Sequence, residues 1–230
     1  DKKIPVKELF VKYIFTNRIL WLLALANVFV YLIRYGIGDW APTYCEEAGL
    51  LTSEQSKMAF SLHNYAGVPG MVLIGWISSK VFKGRCAPAN VIYMVLVLLS
   101  VLLYWKAVPV ASFFANAFGT DPDATRVTVV YSALIAIGFF IYGPVALIGV
   151  QAVNLVPKNA AGTAAGFVGL FGYLLGDALL SKVLIGAVAD NVSLGWGATF
   201  WIFIAASILA AIFSATTWKK EKETYLGHAK

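Results

Sequence analysis

The sequence has few charged residues and few of the residues that carry metal or redox chemistry. Asp, Glu, Lys and Arg make up 13% of its 230 residues, whereas about 25% is usual for a soluble domain. It has only two cysteines and two histidines, and they lack the spacing of a metal site. Neither a nucleotide-binding loop nor a nucleophile elbow is present. These absences argue against an ATP-driven pump and against catalysis, so we expect no enzyme activity, metal or cofactor.

Hydrophobic residues, in contrast, make up 60% of the chain and are gathered into long runs. A bilayer core of about 30 Å requires roughly 20 helical residues to cross it. Isolated strands cannot satisfy their backbone in lipid, and the runs are too long for barrel strands. We therefore predict an all-α, polytopic membrane protein embedded in a lipid bilayer. Its six predicted transmembrane helices are 19–44, 58–79, 89–105, 127–156, 160–188 and 196–218, with 106–126 as the one long link.

The positive charges indicate how the chain is oriented. The net charge is +6, but the Lys and Arg residues are scattered over links and termini, so we expect no nucleic-acid partner. With both termini inside, thirteen Lys and Arg residues fall in inside segments and only three in outside links. We therefore predict that both termini are cytoplasmic, with 1–18 as the end of a cytoplasmic linker and 219–230 as a cytoplasmic tail. Cys45 and Cys86 should then lie on opposite sides of the bilayer, so we expect no disulfide between them.

Arg34 is a cation deep within the first predicted span. An Arg at the centre of a membrane helix costs about 2.5–3.5 kcal/mol on insertion scales. Asn27, Tyr31 and Arg34 are spaced i, i+4 and i+7, so they share one helical face. The planar guanidinium presents a fork of donors that suits phosphate or carboxylate. We predict an anion-binding site at this face; the alternative is an internal ion pair with Asp39 or Asp177.

Other polar residues also fall within the predicted spans. Asp177 and Lys182 are five residues apart, a spacing that separates them on an α-helix, so we expect no direct pair. Asp177 is predicted to face the interior of the bundle and Lys182 to reach the outer boundary. His63 is predicted to hydrogen-bond to a neighbouring helix. Three residues of the fourth span are polar enough to line a cavity, although the last two could instead join helices near the inner end: Tyr142, Gln151 and Asn154.

Three of the apolar runs carry extended motifs: NVFVYLIRYGIGDWAPTY at 27–44, FFIYGPVALIG at 139–149 and VPKNAAGTAAGFVGLFGYLLG at 156–176. They resemble helices seven, ten and eleven of the organophosphate:phosphate antiporters, which belong to the major facilitator superfamily. Within that family, RYG and AAGTAAGF are most similar to bacterial glycerol-3-phosphate transporters, whereas GDALLSKV at 176–183 is similar to hexose-6-phosphate transporters. GWISSKVFKGR at 75–85 resembles the superfamily's cytoplasmic loop motif, but has Ser79 where an aspartate is usual.

The resemblance implies that 19–218 is the C-terminal six-helix half-bundle of a twelve-helix transporter, whose partner is the N-terminal half. Substrate would bind at the midplane between the halves, with alternating access. Arg34 corresponds to the family's helix-seven arginine, which binds phosphate jointly with an arginine of the N-terminal half. Tyr31, Tyr142 and Tyr173 correspond to tyrosines of the same cavity. With Asn27 and Asp177, these four residues are the predicted substrate-binding site.

The function implied by this resemblance is exchange of glycerol 3-phosphate, or a related sugar phosphate, for inorganic phosphate across the bacterial inner membrane. One alternative is a hexose-6-phosphate antiporter. Another is a membrane sensor of sugar phosphate, which would need the same site. A purely structural membrane subunit is disfavoured, because a scaffold has little reason to retain Arg34 and Asp177 within its spans.

Overall fold

The computed structural model describes residue 5 and residues 9–191 and 193–228, and this part of the chain contains helices and no strand. Residues 1–4 and 6–8 of the predicted linker and 229–230 of the predicted tail lie outside the described residues. In chain order the helices are α1 (Leu9–Phe15, π-helical), α2 (Arg18–Glu47), α3 (Ser53–Trp76), α4 (Ala87–Trp105), α5 (Ala107–Phe118), α6 (Pro122–Asn154), α7 (Lys158–Ala189) and α8 (Gly195–His228).

Besides α1, two segments of the described residues are π-helical, so that each N–H bonds to the carbonyl five residues earlier. The first, Ile77–Val81, follows α3 directly. The second, Gly172–Ile185, occupies 14 residues in the second half of α7. The second segment matters for function because it carries Tyr173, Asp177 and Lys182.

Side chains at the helix N-termini explain where several helices begin. The Asn17 side chain accepts a hydrogen bond from the backbone N–H of Ile19 at 3.1 Å, which starts α2. Thr52 and Gln55 form a reciprocal capping box that starts α3. The side chain of Asp121 caps α6. These polar residues occupy the links, so the apolar runs enter the helices intact.

Five helices are long and apolar enough to cross a membrane, namely α2, α4, α6, α7 and α8. They correspond to five of the six predicted spans, and the predicted fold class is confirmed. α3 corresponds to the sixth; it is 24 residues long, but polar residues such as His63 and Asn64 keep it outside that group. The predicted long link 106–126 contains a helix that was not predicted, α5, which is followed by Gly119 as its C-cap with a φ of 64°.

The backbones of α3 and α6 approach each other closely at two glycines. A Cβ atom at Gly70 would overlap the backbone carbonyl of Phe139, and one at Gly138 would overlap the carbonyl of His63. Small residues permit this approach in membrane bundles, where packing rather than hydrophobicity holds helices together. The crossing places the middle of α3 directly beside Tyr142 of α6.

α2 packs along the π-helical half of α7 in the same manner. A Cβ atom at Gly172 or Gly176 would overlap atoms of Asn27, Val28 or Tyr31. The main buried core lies between these two contacts, at the centre of the bundle. Its largest fully buried side chains include Leu23, Ile33, Ile37, Met94, Leu134, Ile137, Ile141 and Phe200.

At the predicted cytoplasmic end, α8 caps α4. Glu221 is 1% exposed, and its two carboxylate oxygens accept hydrogen bonds from the N–H groups of Cys86 at 2.7 Å and Ala87 at 2.9 Å. Cys86 and Cys45 are both buried and free. The N-cap residue of α4, Cys86, makes no side-chain hydrogen bond to the first turn of the helix. Glu221 of α8 therefore caps the N-terminus of α4 through a tertiary contact.

Candidate functional site

Arg34 lies on α2 with its guanidinium group between aromatic rings. Its Cζ atom is 4.5 Å from the ring centroid of Tyr142 on α6 and 4.7 Å from that of Tyr35 on its own helix. The ring of Tyr31 is also near, at 5.8 Å. These are cation–π distances, at which the ring faces attract the cation. The rings of Tyr31, Tyr35 and Tyr142 therefore restrain the guanidinium, whose N–H donors lie along the edge of its own plane.

Among the described residues, no carboxylate forms an ion pair with Arg34. The ion pairs in this part of the chain join Arg126 to Asp123 at 3.0 Å and Lys182 to Asp177 at 3.3 Å. The structure therefore does not support the alternative interpretation, in which an ion pair with Asp39 or Asp177 neutralises Arg34. A half-buried guanidinium held by rings retains its capacity to bind an anion.

Asp177 and Lys182 form an ion pair. The prediction that they do not pair directly, which assumed α-helical spacing, was therefore wrong. Lys182 Nζ lies 3.3 Å from Asp177 Oδ1 and 3.4 Å from Oδ2. On an α-helix, residues five apart point about 140° away from each other. In the π-helical segment Gly172–Ile185 the repeat is longer, so residues five apart come onto the same side. The Asp177 side chain is 13% exposed and that of Lys182 is 58% exposed, so the pair lies at the edge of the bundle.

Three tyrosines form a cluster beside Arg34. The ring centroid of Tyr31 is 4.9 Å from that of Tyr173 and 5.7 Å from that of Tyr35, while Tyr35 and Tyr173 are 6.2 Å apart. Tyr31 is 7% exposed, whereas Tyr173 is 52% exposed. Tyr173 is therefore accessible at the surface of the bundle, and the buried ring of Tyr31 packs against it.

Asn27 shares a face of α2 with Tyr31, as the spacing predicted, but it lies in a helix–helix contact. Its Nδ2 donates to the backbone carbonyl of Val168 on α7 at 3.0 Å, and the residue is 4% exposed. This bond joins α2 to α7 one turn below the tyrosine cluster. The structure thus brings Arg34, Tyr31, Tyr142 and Tyr173 together and places Asn27 beneath them.

Asn64 of α3 is a site neighbour that sequence reasoning missed. Its Oδ1 accepts a hydrogen bond from the Tyr142 hydroxyl at 2.7 Å. The sequence feature that could have indicated a role for Asn64 is its polar amide side chain beside His63 in a predicted span. His63 itself makes the predicted interhelical contact, between Nδ1 and the Leu134 carbonyl at 3.0 Å.

The carbonyl of Leu134 can only accept, so Nδ1 of His63 carries the proton and Nε2 is left as an acceptor. Nε2 has no hydrogen-bond partner among the described residues. His63 is 2% exposed, and its ring centroid is 6.3 Å from that of Tyr142. It anchors α3 to α6 at the level of the site and does not open onto it.

Gln151 joins helices near the predicted inner end, as one of its two interpretations held. Its Nε2 donates to Thr217 Oγ1 of α8 at 2.9 Å, and its Oε1 is 3.5 Å from Asn90 Nδ2 of α4. The side chain is fully buried. Gln151 is therefore occupied by structural bonds away from the Arg34 cluster.

Comparison with known proteins identifies the family. The family model of the Major Facilitator Superfamily matches residues 2–181. The glycerol-3-phosphate transporter of Bacillus subtilis is 45% identical over 222 residues, which is 96% of this chain and 46% of that protein. The glycerol-3-phosphate transporter of Haemophilus influenzae is 42% identical over 92% of this chain and 44% of that protein.

A hexose-6-phosphate:phosphate antiporter of Escherichia coli is 33% identical over 89% of this chain and 40% of that protein. The chain thus spans less than half the length of these curated relatives. The predicted resemblance to the organophosphate:phosphate antiporters is confirmed by these matches. The chain belongs to the Major Facilitator Superfamily.

Proposed function

We propose that this chain is the C-terminal half of a secondary transporter that exchanges glycerol 3-phosphate, or a related sugar phosphate, for inorganic phosphate. The exchange would occur across the bacterial inner membrane, with both termini of this chain in the cytoplasm. Its relatives at 45% and 42% identity are named glycerol-3-phosphate transporters, which supports this substrate class. Rocking of two half-bundles about a midplane site would give alternating access without ATP.

The observation that carries this proposal is the environment of Arg34. The guanidinium lies within cation–π distance of the rings of Tyr142 and Tyr35, and no carboxylate pairs with it among the described residues. These contacts restrain the side chain, so less rotamer entropy is lost when an anion binds. A phosphate placed at the edge of the guanidinium would receive two parallel N–H bonds. Tyr173 and Tyr31 would bind its oxygens or shape the pocket around it.

The N-terminal half of the transporter would contribute to the phosphate site in this proposal. The resemblance implies a second arginine on the N-terminal half, which would hold the same phosphate from the other side. Neither half can then bind the dianion fully or alternate access alone. The partner required for activity is therefore the N-terminal six-helix half of the same transporter.

Substitution of Arg34 by Lys tests the proposal. Lys keeps the positive charge but loses the planar fork and the stacking, so we expect phosphate exchange to fall at least about tenfold. The measurement is exchange of radiolabelled phosphate by the full-length protein in phosphate-loaded proteoliposomes. Arg18→Lys at the exposed start of the same helix is the matched control, and it should exchange normally. Near-normal exchange by Arg34→Lys would refute the assigned role.

A hexose-6-phosphate antiporter is the second candidate, and the Asp177–Lys182 pair favours it. This pair lies in the GDALLSKV run, which resembles hexose-6-phosphate transporters, and its polar groups could bind sugar hydroxyls. Competition separates the candidates. If glycerol 3-phosphate inhibits phosphate exchange at lower concentration than glucose 6-phosphate, the first proposal holds; the reverse order supports the second.

A further inference from the structure

Asn64 is a polar side chain of α3 that hydrogen-bonds to Tyr142, whose ring lies 4.5 Å from Arg34 Cζ. The Tyr142 hydroxyl lies 2.7 Å from Asn64 Oδ1. Asn64 Nδ2 donates to the Phe60 carbonyl one turn earlier at 2.8 Å. A carbonyl can only accept, so this second bond fixes the orientation of the amide, and Oδ1 faces Tyr142. The tyrosine hydroxyl is therefore the donor, and its proton is committed to Asn64.

The ring of Tyr142 is also held by the shape of α3. A Cβ atom at Gly67, three residues after Asn64, would lie 2.5 Å from the Tyr142 ring. The missing side chain creates the space that the ring fills. α3 thus fixes Tyr142 at two points, the hydroxyl through Asn64 and the ring through Gly67. Both points lie where α3 crosses α6 in backbone contact, so they move little relative to each other.

These contacts continue to the guanidinium. Tyr142 presents its ring to Arg34 Cζ at 4.5 Å. The direction of the guanidinium edge depends on the orientation of that ring, and the orientation depends on the hydrogen bond to Asn64. A ring freed at its hydroxyl would rotate or tilt, and the N–H fork of Arg34 would lose its fixed direction.

We infer that Asn64 is a positioning residue that sets the phosphate affinity of Arg34 through the hydroxyl of Tyr142. This inference rests on the proposed function, because it takes phosphate as the ligand of Arg34. Asn64 is neutral, so it orients Tyr142 without adding a negative charge that would repel the anion. A carboxylate at this position would make the same bond to Tyr142 and would lower the affinity for an anion.

A double-mutant cycle on phosphate binding tests this inference. The variants are Asn64→Leu, Tyr142→Phe and the two combined, in the full-length purified transporter. The dissociation constant of radiolabelled inorganic phosphate is measured for each. Leu has nearly the size of Asn but accepts no hydrogen bond, so Asn64→Leu should weaken phosphate binding about tenfold. In the Tyr142→Phe background, where the hydroxyl is already absent, the same change should have an effect of less than about twofold.

Two controls complete the experiment. Asn116→Leu makes the same substitution at an exposed position on α5 and should leave phosphate affinity unchanged. Arg34→Ala should abolish binding, which verifies that the measured phosphate occupies this site. Thermal unfolding of each variant separates loss of affinity from loss of fold, since a merely structural role would lower Tm equally in both backgrounds without coupling in affinity.

The outcomes are distinguishable. Equal losses of affinity on changing Asn64 in the presence and absence of the Tyr142 hydroxyl would overturn the inference, because Asn64 would then act independently of Tyr142. Unchanged affinity in Asn64→Leu would also overturn it. If the parent protein binds no phosphate, or if Arg34→Ala binds it normally, the proposed function fails and this inference fails with it.

Discussion

The buried carboxylate of Glu221 permits a quantitative prediction about how α8 stabilises the rest of the bundle. Glu221 is 1% exposed, and each of its oxygens accepts one backbone N–H at the start of α4, from Cys86 and from Ala87. In Glu221→Gln, one oxygen becomes an NH2 group that faces an N–H donor. One N–H is then left buried without an acceptor, and the negative charge at the helix N-terminus is lost.

The expected cost follows from these two losses. A hydrogen bond to a charged group contributes about 1.5–3 kcal/mol, and an anion at a partly buried helix N-terminus contributes up to about 2 kcal/mol. We expect Glu221→Gln to lower the free energy of unfolding by about 3 kcal/mol. For 150–250 residues, 1 kcal/mol corresponds to roughly 2–4 °C in Tm, and about half as much for a protein of twice that length. The melting temperature of the full-length protein should therefore fall by about 3–6 °C.

Intrinsic tryptophan fluorescence of the full-length protein in detergent, followed on heating, measures this shift. Glu223→Gln is the matched control, because Glu223 is exposed on the same helix two residues later. The control should change Tm by less than about 1 °C, as surface substitutions usually do. Equal melting temperatures for the two variants would show that the Glu221 cap contributes nothing and would refute the reasoning.

Two further predictions concern reactivity and orientation. Burial, followed by the nearby Glu221 charge, raises the pKa of Cys86 to about 12; because the thiolate is the reactive form, N-ethylmaleimide at pH 7.5 should label Cys86 very slowly, and rapid labelling of the folded parent would contradict this. A cysteine introduced by Thr120→Cys should react with a membrane-impermeant maleimide on intact cells, whereas one introduced by Lys80→Cys should react only after the cells are opened; the reverse pattern would refute the predicted orientation.

The spans, and Arg34 as a candidate site residue, could be proposed from the sequence because both follow from the cost of polarity in lipid. A long apolar run must satisfy its own backbone, so it forms a helix wherever it lies. An Arg within such a run is energetically costly, which makes Arg34 a candidate functional residue. The three-residue spacing between Tyr31 and Arg34 places both on one helical face. These arguments use only local sequence, and for that reason they do not depend on how the helices pack.

The Asp177–Lys182 pair and the role of Asn64 could not be predicted in this way. The pair depends on a π-helical repeat, and nothing in the sequence of Gly172–Ile185 distinguishes it from an α-helix. The bond from Asn64 to Tyr142 joins residues 78 positions apart in the chain. It exists because Gly70 and Gly138 let α3 and α6 touch, which is a property of two helices and not of either one.

The charged residues within the spans limit how much positive charge this chain can offer to a bound phosphate. Because Lys182 is paired with Asp177, Arg34 is the remaining cation near the middle of the described spans. Asp39 lies five residues after Arg34 on α2, so this half supplies at most about one positive charge to a bound phosphate. A phosphate dianion beside one cation keeps an uncompensated charge in a region of low dielectric, which is costly. A second cation must come from outside this chain, and the N-terminal half is where we expect it. If the proposed function is correct, the π-helical turn that pairs Lys182 with Asp177 is therefore one reason why the phosphate site would be shared between two halves.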